Sequence, residues 1–237
     1  MHWDIDSRTA EAAMAHPLPL KRDTPARQFE GCLTSPKTWD DRVLQPAEWP
    51  NGYLWSSPEQ ILKFFHNGRY TQGLAMVVSW GGMGRRSSDI YRDRSPEFIE
   101  RIEGALRDCA HSIKTSESIA GSWEVLTGWS GVQLGWSAVM ASKTLHFLCR
   151  SLGFEEDPPA AIDNKVMRER VWPVFRDSIA SSKRPGDWEG STFEAYSRYM
   201  TAILTWAANK HWTTKELEAT IFDQYLNAPD PLCSPGS

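Results

Sequence analysis

The 237-residue sequence has few cysteines, no long apolar run and no excess of positive charge. Its four cysteines are scattered, without a Cys-x-x-Cys pair or a histidine at zinc-ligand spacing, so we expect reduced thiols and no metal site. No stretch approaches the roughly 18 apolar residues that a membrane-spanning helix needs. Residues 1–6 lack the basic and then apolar pattern of an export signal. We therefore expect a cytoplasmic protein that does not contact a membrane.

The composition is that of a folded globule with a substantial core. Hydrophobic residues make up 41% of the chain and charged residues 24%, the formal net charge is -4 and the mean hydropathy is -0.48. Twelve tryptophans are a heavy load for this length. Indole rings either fill a core or offer flat faces for stacking, and composition alone does not choose between these uses.

Almost every strong local pattern in the sequence is helical. Two Ser-Pro-Glu sequences, at Ser57 and Ser95, place a capping residue before a proline at the first helical position. Further helical stripes cover residues 118–126, 136–152, 164–179 and 193–207, and Thr213-x-x-Glu216 is a capping box that opens another helix. The alternating pattern of strands is nearly absent, although residues 75–80 could form a short strand.

These patterns predict an all-α protein in three parts. Residues 1–56 are rich in proline and form an irregular arm packed on the body, with a short helix over residues 9–15. Residues 57–226 form the helical domain. Residues 227–237 form a flexible tail, because they are rich in proline and serine and end the chain.

The residues most suggestive of chemistry are Lys143 and Asp163. Lys143 sits on a predicted apolar helix, and desolvation of a lysine favours its nucleophilic neutral amine. Asp163 follows a Pro-Pro turn and precedes the next predicted helix, where its carboxylate is well placed as an N-cap. The ordinary alternative is a lysine that extends its amine to solvent and an aspartate that only caps a helix.

Two further residues near Lys143 are candidates for substrate binding. His146 lies three positions along the same helix and could contact a sugar or a phosphate, although a histidine satisfied within the core is the alternative. Trp136 could stack on an extruded purine, although aromatic residues at helical spacing usually pack in the core.

A basic run at residues 81–86, Gly-Gly-Met-Gly-Arg-Arg, is a candidate phosphate cradle. Backbone N–H groups and the guanidinium groups of Arg85 and Arg86 could bind phosphate oxygens, and the alternative is a surface turn with solvated arginines. Residues 61–94 together hold six lysine and arginine residues against two aspartates. Such segregated charge is typical of nucleic-acid binding through phosphate neutralisation, whereas the overall pI near 5.9 predicts modest, salt-sensitive affinity.

Residues 128–172 resemble the core of the helix-hairpin-helix base-excision glycosylases, specifically the 8-oxoguanine glycosylase branch. The resemblance lies in a lysine within Ser-Lys-Thr, a short loop, and an Ala-x-Asp-x-x-Val segment that contains Asp163 twenty residues later. It implies a helix-hairpin-helix glycosylase-like bundle and the activity of a DNA glycosylase and AP lyase. We expect neither a cofactor nor a metal ion.

The resemblance also implies roles for the two candidate residues. Lys143 would attack the sugar C1′, displace an oxidised guanine and form a Schiff base. Asp163 would orient the nucleophile and stabilise positive charge that develops on the sugar. The target base would have to leave the duplex stack first.

The interval before the lysine departs from that family, because residues 136–142 lack its Gly-x-Gly turn. This departure keeps a second hypothesis open, a module that binds a modified guanine or a protein partner without chemistry. The whole chain also resembles a small bacterial set of accessory proteins in anti-phage cyclic-nucleotide signalling islands. That resemblance implies protein partners from a defence operon. It also leads to a third hypothesis, a repurposed glycosylase that acts on a modified or deaza-guanine in a nucleotide, in RNA or linked to a protein.

Overall fold

A computed structural model describes residues 3–18, 20, 32–34, 54–80, 96–116, 118–128, 138–155, 157–162 and 192–226. These ranges contain eight α-helices: α1 Ser7–Ala15, α2 Pro58–His66, α3 Tyr70–Trp80, α4 Pro96–Ser116, α5 Ala120–Thr127, α6 Ala138–Ser151, α7 Phe193–Lys210 and α8 Thr214–Leu226. They also contain two three-residue strands, β1 Cys32–Thr34 and β2 Leu54–Ser56, which pair antiparallel. The predicted all-α class is confirmed. Within the described part of the chain, no helix is both long enough and apolar enough to span a bilayer.

Local capping signals set several helix ends where the sequence predicts them. The Ser57 hydroxyl accepts a hydrogen bond from the Gln60 N–H at 3.3 Å, with proline at the first position of α2. Before α8, the Thr213 N–H donates to Glu216 Oε2 at 2.9 Å and the Glu216 N–H donates to Thr213 Oγ1 at 3.1 Å, which completes the predicted capping box. Gly153 follows α6 at φ +99°, a conformation that favours glycine.

The strand suggested for residues 75–80 is wrong, because these residues belong to α3. This helix packs against α2, α4 and α6 and is buried on nearly every side, so residues 74–78 form a continuous apolar run that carries no helical period. The Gly73 backbone lies so close to the Phe65 ring of α2 that an added Cβ would meet it at 2.6 Å. The predicted helix over residues 164–179, the residue Ser95 and residues 227–237 lie outside the described residues.

Helix α6 lies at the centre of the packing. Helices α2, α3, α4 and α5 all contact it, and each of its residues from 138 to 149 is buried. Helix α7 contacts α5 and α8, and the Tyr196 ring stacks on Trp123 at a centroid distance of 4.2 Å. A polar side chain on α6 is therefore surrounded by protein rather than by solvent.

The first helix of the predicted arm packs on α7. The Asp6 carboxylate caps α1 by accepting from the Thr9 N–H at 2.9 Å, and the Asp6 N–H donates to Thr201 Oγ1 of α7. The Trp206 indole N–H of α7 donates to the Ala13 carbonyl at 2.9 Å. The boundaries at residues 56 and 226 stay predictions.

Candidate active site around Lys143

Two of the six predicted site residues, Lys143 and His146, are among the described residues. Both lie on α6. The other four, Trp136, Asp163, Arg85 and Arg86, lie outside the described residues, so their roles stay predictions.

Lys143 is almost completely removed from solvent, with 3% of its surface exposed. Its Nζ lies 5.9 Å from the centroid of the Trp80 ring at the end of α3, within the range of a cation–π contact. The Trp80 ring in turn meets the edge of Phe147, one turn along α6, at 5.0 Å. The predicted apolar surroundings of this lysine are therefore confirmed, and its amine lies where bulk water has little access.

The segment that precedes Asp163, residues 158–162, is buried without being part of a helix or strand, and we call it the clamped segment. Buried backbone groups need hydrogen-bond partners, and here side chains of three helices supply them. From α7, the Tyr196 hydroxyl donates to the Ala160 carbonyl at 2.7 Å, and Met200 Sδ accepts from the Ala160 N–H at 3.0 Å.

Helices α6 and α8 hold the same segment from the other side. The His146 Nδ1 lies 3.0 Å from the Pro159 carbonyl oxygen, and Glu218 Oε1 accepts from the Ala161 N–H at 2.5 Å. Both side chains are buried. The path of the chain toward residue 163 is thus fixed by contacts to α6, α7 and α8.

The last contact of the clamped segment joins it to the residue before Lys143. Ser142, the residue before Lys143, accepts a hydrogen bond through its Oγ from the N–H of Ile162 at 2.9 Å. Ile162 is the residue before Asp163. Since neighbouring Cα atoms are about 3.8 Å apart, the residue after Ile162 begins one peptide step from this contact.

Both titratable groups behind the clamped segment are neutral near pH 7. Burial and, to a smaller extent, the positive charge of Arg150 lower the pKa of His146 to about 3, against the opposing effect of the hydrogen bond to Pro159. Its Nδ1–H then donates to Pro159, and its Nε2 accepts from Arg150 Nη1 at 3.4 Å. Burial raises the pKa of Glu218 to about 8. Glu218 Oε2 lies 3.5 Å from His146 Nδ1 and makes no hydrogen bond among the described residues.

Comparison with protein families assigns the chain to a known group. Residues 34–222 match the model of a family described as "Putative 8-oxoguanine DNA glycosylase OGG-like protein". The chain belongs to this OGG-like family. Membership indicates glycosylase-type chemistry and agrees with the helical fold described above. At a stringent threshold, no curated protein and no solved structure matches the chain.

Within this OGG-like chain, both ring nitrogens of His146 have protein partners. A contact from His146 to a sugar or phosphate would have to displace one of them, and substrate binding by this residue stays a prediction. Among the described residues, no group of three His, Cys, Asp or Glu side chains is close enough to hold a metal ion.

Apart from His146, whose alternative as a histidine satisfied within the core fits its contacts, sequence reasoning missed the residues that hold the clamped segment. Glu218 had a detectable signal, because it occupies a core position in the 3-and-4 spacing Thr214, Glu218, Ile221 of α8. A carboxyl group at such a position must find a buried partner. Ser142 and Met200 carry no such signal, because a serine and a methionine are ordinary residues on buried helices.

Proposed function

We propose that this OGG-like protein is a DNA glycosylase and AP lyase that excises 8-oxoguanine or a related modified guanine. The Lys143 amine attacks C1′ of the target nucleotide, the glycosidic C1′–N bond breaks and the base leaves with the bonding electrons. Loss of the proton from nitrogen and opening of the sugar ring then give a Schiff base between Lys143 and C1′. The imine makes the adjacent sugar carbon acidic, and elimination of the 3′-phosphate follows.

The observation that carries this proposal is the hydrogen bond between Ser142 Oγ and the Ile162 N–H. It joins the residues that directly precede Lys143 and Asp163, which supports a shared site for an amine and a carboxylate twenty positions apart in sequence. The proposed carboxylate of Asp163 orients the amine and stabilises the positive charge that develops on the sugar.

The burial of Lys143 supports the same chemistry. A lysine nucleophile acts as the neutral amine, and an environment with little water disfavours the charged form. Restricted water also protects an imine from hydrolysis before the elimination step.

Borohydride trapping on DNA that contains 8-oxoguanine tests the proposal. We expect a covalent adduct with the native protein and none with Lys143→Gln. Arg101→Gln is the matched control, because it removes one positive charge from an exposed side chain on α4, and its adduct should equal the native one. An adduct that persists in Lys143→Gln, or the absence of an adduct on every guanine lesion offered, contradicts the proposal.

The second candidate is a protein of the same fold that binds or processes a modified or deaza-guanine outside duplex DNA. The missing Gly-x-Gly turn in residues 136–142 and the pI near 5.9 favour it, since both weaken docking to a duplex. Product analysis on a nucleotide, an RNA, a protein-linked base and duplex DNA separates the two candidates. For a non-catalytic binding module, Asp163→Asn should leave affinity nearly unchanged and no base should be released.

A further inference from the structure

An open groove of about 1040 Å³ lies between α2, α4 and the last turn of α6. Its floor is apolar and is formed largely by Leu62, Phe65, Ala110 and Leu152. Its charged and imidazole-bearing lining residues are Glu59, Lys63 and His66 from α2, Arg107, His111 and Lys114 from α4, and Arg150 and Glu155 at the end of α6. We call it the basic groove.

The charge of the basic groove is opposite in sign to that of the whole chain. Four lysine and arginine side chains face two carboxylates in its lining, whereas the chain carries a net charge of -4. Neither Lys63 nor Lys114 forms an ion pair with any described residue, and both are exposed. Arg107 lies 3.9 Å from Glu103, which is at the outer limit for an ion pair. The lining of the groove therefore carries an excess of two positive charges over its carboxylates.

The cations are spread along the walls instead of converging on one point. Arg107, His111 and Lys114 are spaced by four and three residues, so they share one face of α4 and extend over about 10 Å. Lys63 and His66 form a shorter row on the facing helix α2. Such an extended arrangement suits a polyanion with repeated charges better than a single small anion.

Arg150, at the inner end of the groove, is a guanidinium group with incomplete partners. It is half-buried, and its one hydrogen bond to a described side chain is from Nη1 to the neutral His146 ring. Its Nε is buried without a hydrogen-bond partner, and no carboxylate of a described residue lies within ion-pair distance. A partly buried charge is costly unless it is paired, and phosphate oxygens match guanidinium geometry well.

We propose that the basic groove binds the phosphate backbone of a nucleic-acid strand. Arg150 contacts a phosphate at the inner end, and Lys63 and Lys114 neutralise phosphates along the two walls. Arg150 lies seven residues after Lys143 on the same face of α6, about 10 Å along the helix axis, so its phosphate contact is distinct from the reacting amine. The proposal rests on the proposed function for a nucleic-acid ligand, but its test requires no reaction at Lys143.

Fluorescence anisotropy with a labelled, unmodified single-stranded oligonucleotide tests this proposal. All proteins carry Lys143→Gln, so that no covalent chemistry interferes. The test variant is Lys63→Glu with Lys114→Glu, and the control is Arg8→Glu with Arg101→Glu, an equal charge change at exposed positions outside the groove. Because all four side chains are exposed, we expect every variant to fold, and circular dichroism checks this.

We expect the groove variant to weaken binding by about tenfold or more at low salt and the control by less than about threefold. The slope of log affinity against log salt should fall by about 1.4 for the groove variant, since two phosphate contacts to a single strand are lost. Arg150→Gln should also weaken binding of the oligonucleotide. Its control, Arg101→Gln, should leave the affinity nearly unchanged.

Three results would overturn the proposal. Equal losses in the groove variant and the control would show only a general effect of net charge. If inorganic phosphate displaced the oligonucleotide at constant ionic strength, the groove would be a site for an isolated phosphate. If the protein with an intact groove did not bind the oligonucleotide at low salt, a nucleic-acid strand would be ruled out as the ligand. None of these results depends on base excision, so each is distinct from a failure of the proposed function.

Discussion

The clamped segment and the basic groove both contact α6, through His146 and Arg150, and differ in how their polar groups are matched. In the clamped segment, Pro159, Ala160, Ala161 and Ile162 all have side-chain partners from three helices. In the basic groove, four cations face two carboxylates and a buried guanidinium nitrogen has no partner. The backbone groups of the first region are satisfied by protein side chains, although Glu218 Oε2 behind it has no hydrogen-bond partner among the described residues, whereas the second region carries an excess of positive charge suited to a ligand from outside. Mutations should therefore affect mainly stability in the first region and mainly binding in the second.

The largest expected difference comes from removing one carboxyl group in each region. Glu218→Ala leaves the Ala161 N–H without its acceptor and opens a cavity, so we expect a loss of about 3 kcal/mol in the free energy of unfolding. Glu59→Ala changes an exposed groove residue and should cost no more than about 0.5 kcal/mol. Urea denaturation measures both. Equal effects of the two variants would mean that the clamped segment is not held as described.

A smaller effect should appear in the pH dependence of stability. The pKa of Glu218 is about 8 in the folded chain and near 4.5 when unfolded, so the folded state holds the extra proton and stability falls as pH rises toward 8. His146 opposes this fall slightly near pH 6.5, because its pKa is lowered to about 3 on folding. We expect a net loss of about 1.5 kcal/mol between pH 6.5 and 8.5.

Glu218→Gln is the sharp test of that pH effect, because glutamine keeps an acceptor for Ala161 but does not titrate. Its free energy of unfolding should stay level or rise slightly over the same interval. A variant that keeps the native fall in stability would assign the titration to another group.

The smallest expected difference concerns two tyrosine hydroxyls. Tyr196→Phe removes the donor to the buried Ala160 carbonyl and should cost about 1 kcal/mol. Tyr70→Phe, in the lining of the groove, should change stability by less than about 0.5 kcal/mol. Thermal unfolding of the two variants side by side gives this comparison. A larger loss for Tyr70→Phe would reverse the contrast between the regions.

Much of the helical fold could be predicted from sequence, because its signals are local. The Ser57 cap, the capping box at Thr213 and the glycine after α6 act within a few residues of the ends they set. The apolar run in α3 misled the prediction, since a helix buried on every side shows no period. Burial of α3 therefore removed the helical periodicity by which its residues could have been assigned to a helix.

The candidate site was only partly predictable for a different reason. Apolar neighbours along α6 correctly predicted that Lys143 is surrounded by protein. The partners of the clamped segment come from distant parts of the chain, however, as Tyr196 is 36 residues from Ala160 and Glu218 is 57 residues from Ala161. Such contacts depend on how α7 and α8 pack, which no local pattern records.

Mapping the trapped adduct tests the central claim most directly, because Lys143 on α6 is buried whereas the lysines of the basic groove are exposed. Native protein is reduced with borohydride on DNA that contains 8-oxoguanine, digested with nuclease and protease, and analysed by mass spectrometry. We predict that the sugar remnant lies on the peptide that contains the buried Lys143. A remnant on the exposed Lys63 or Lys114 of the basic groove, or on any lysine other than Lys143, would contradict the account.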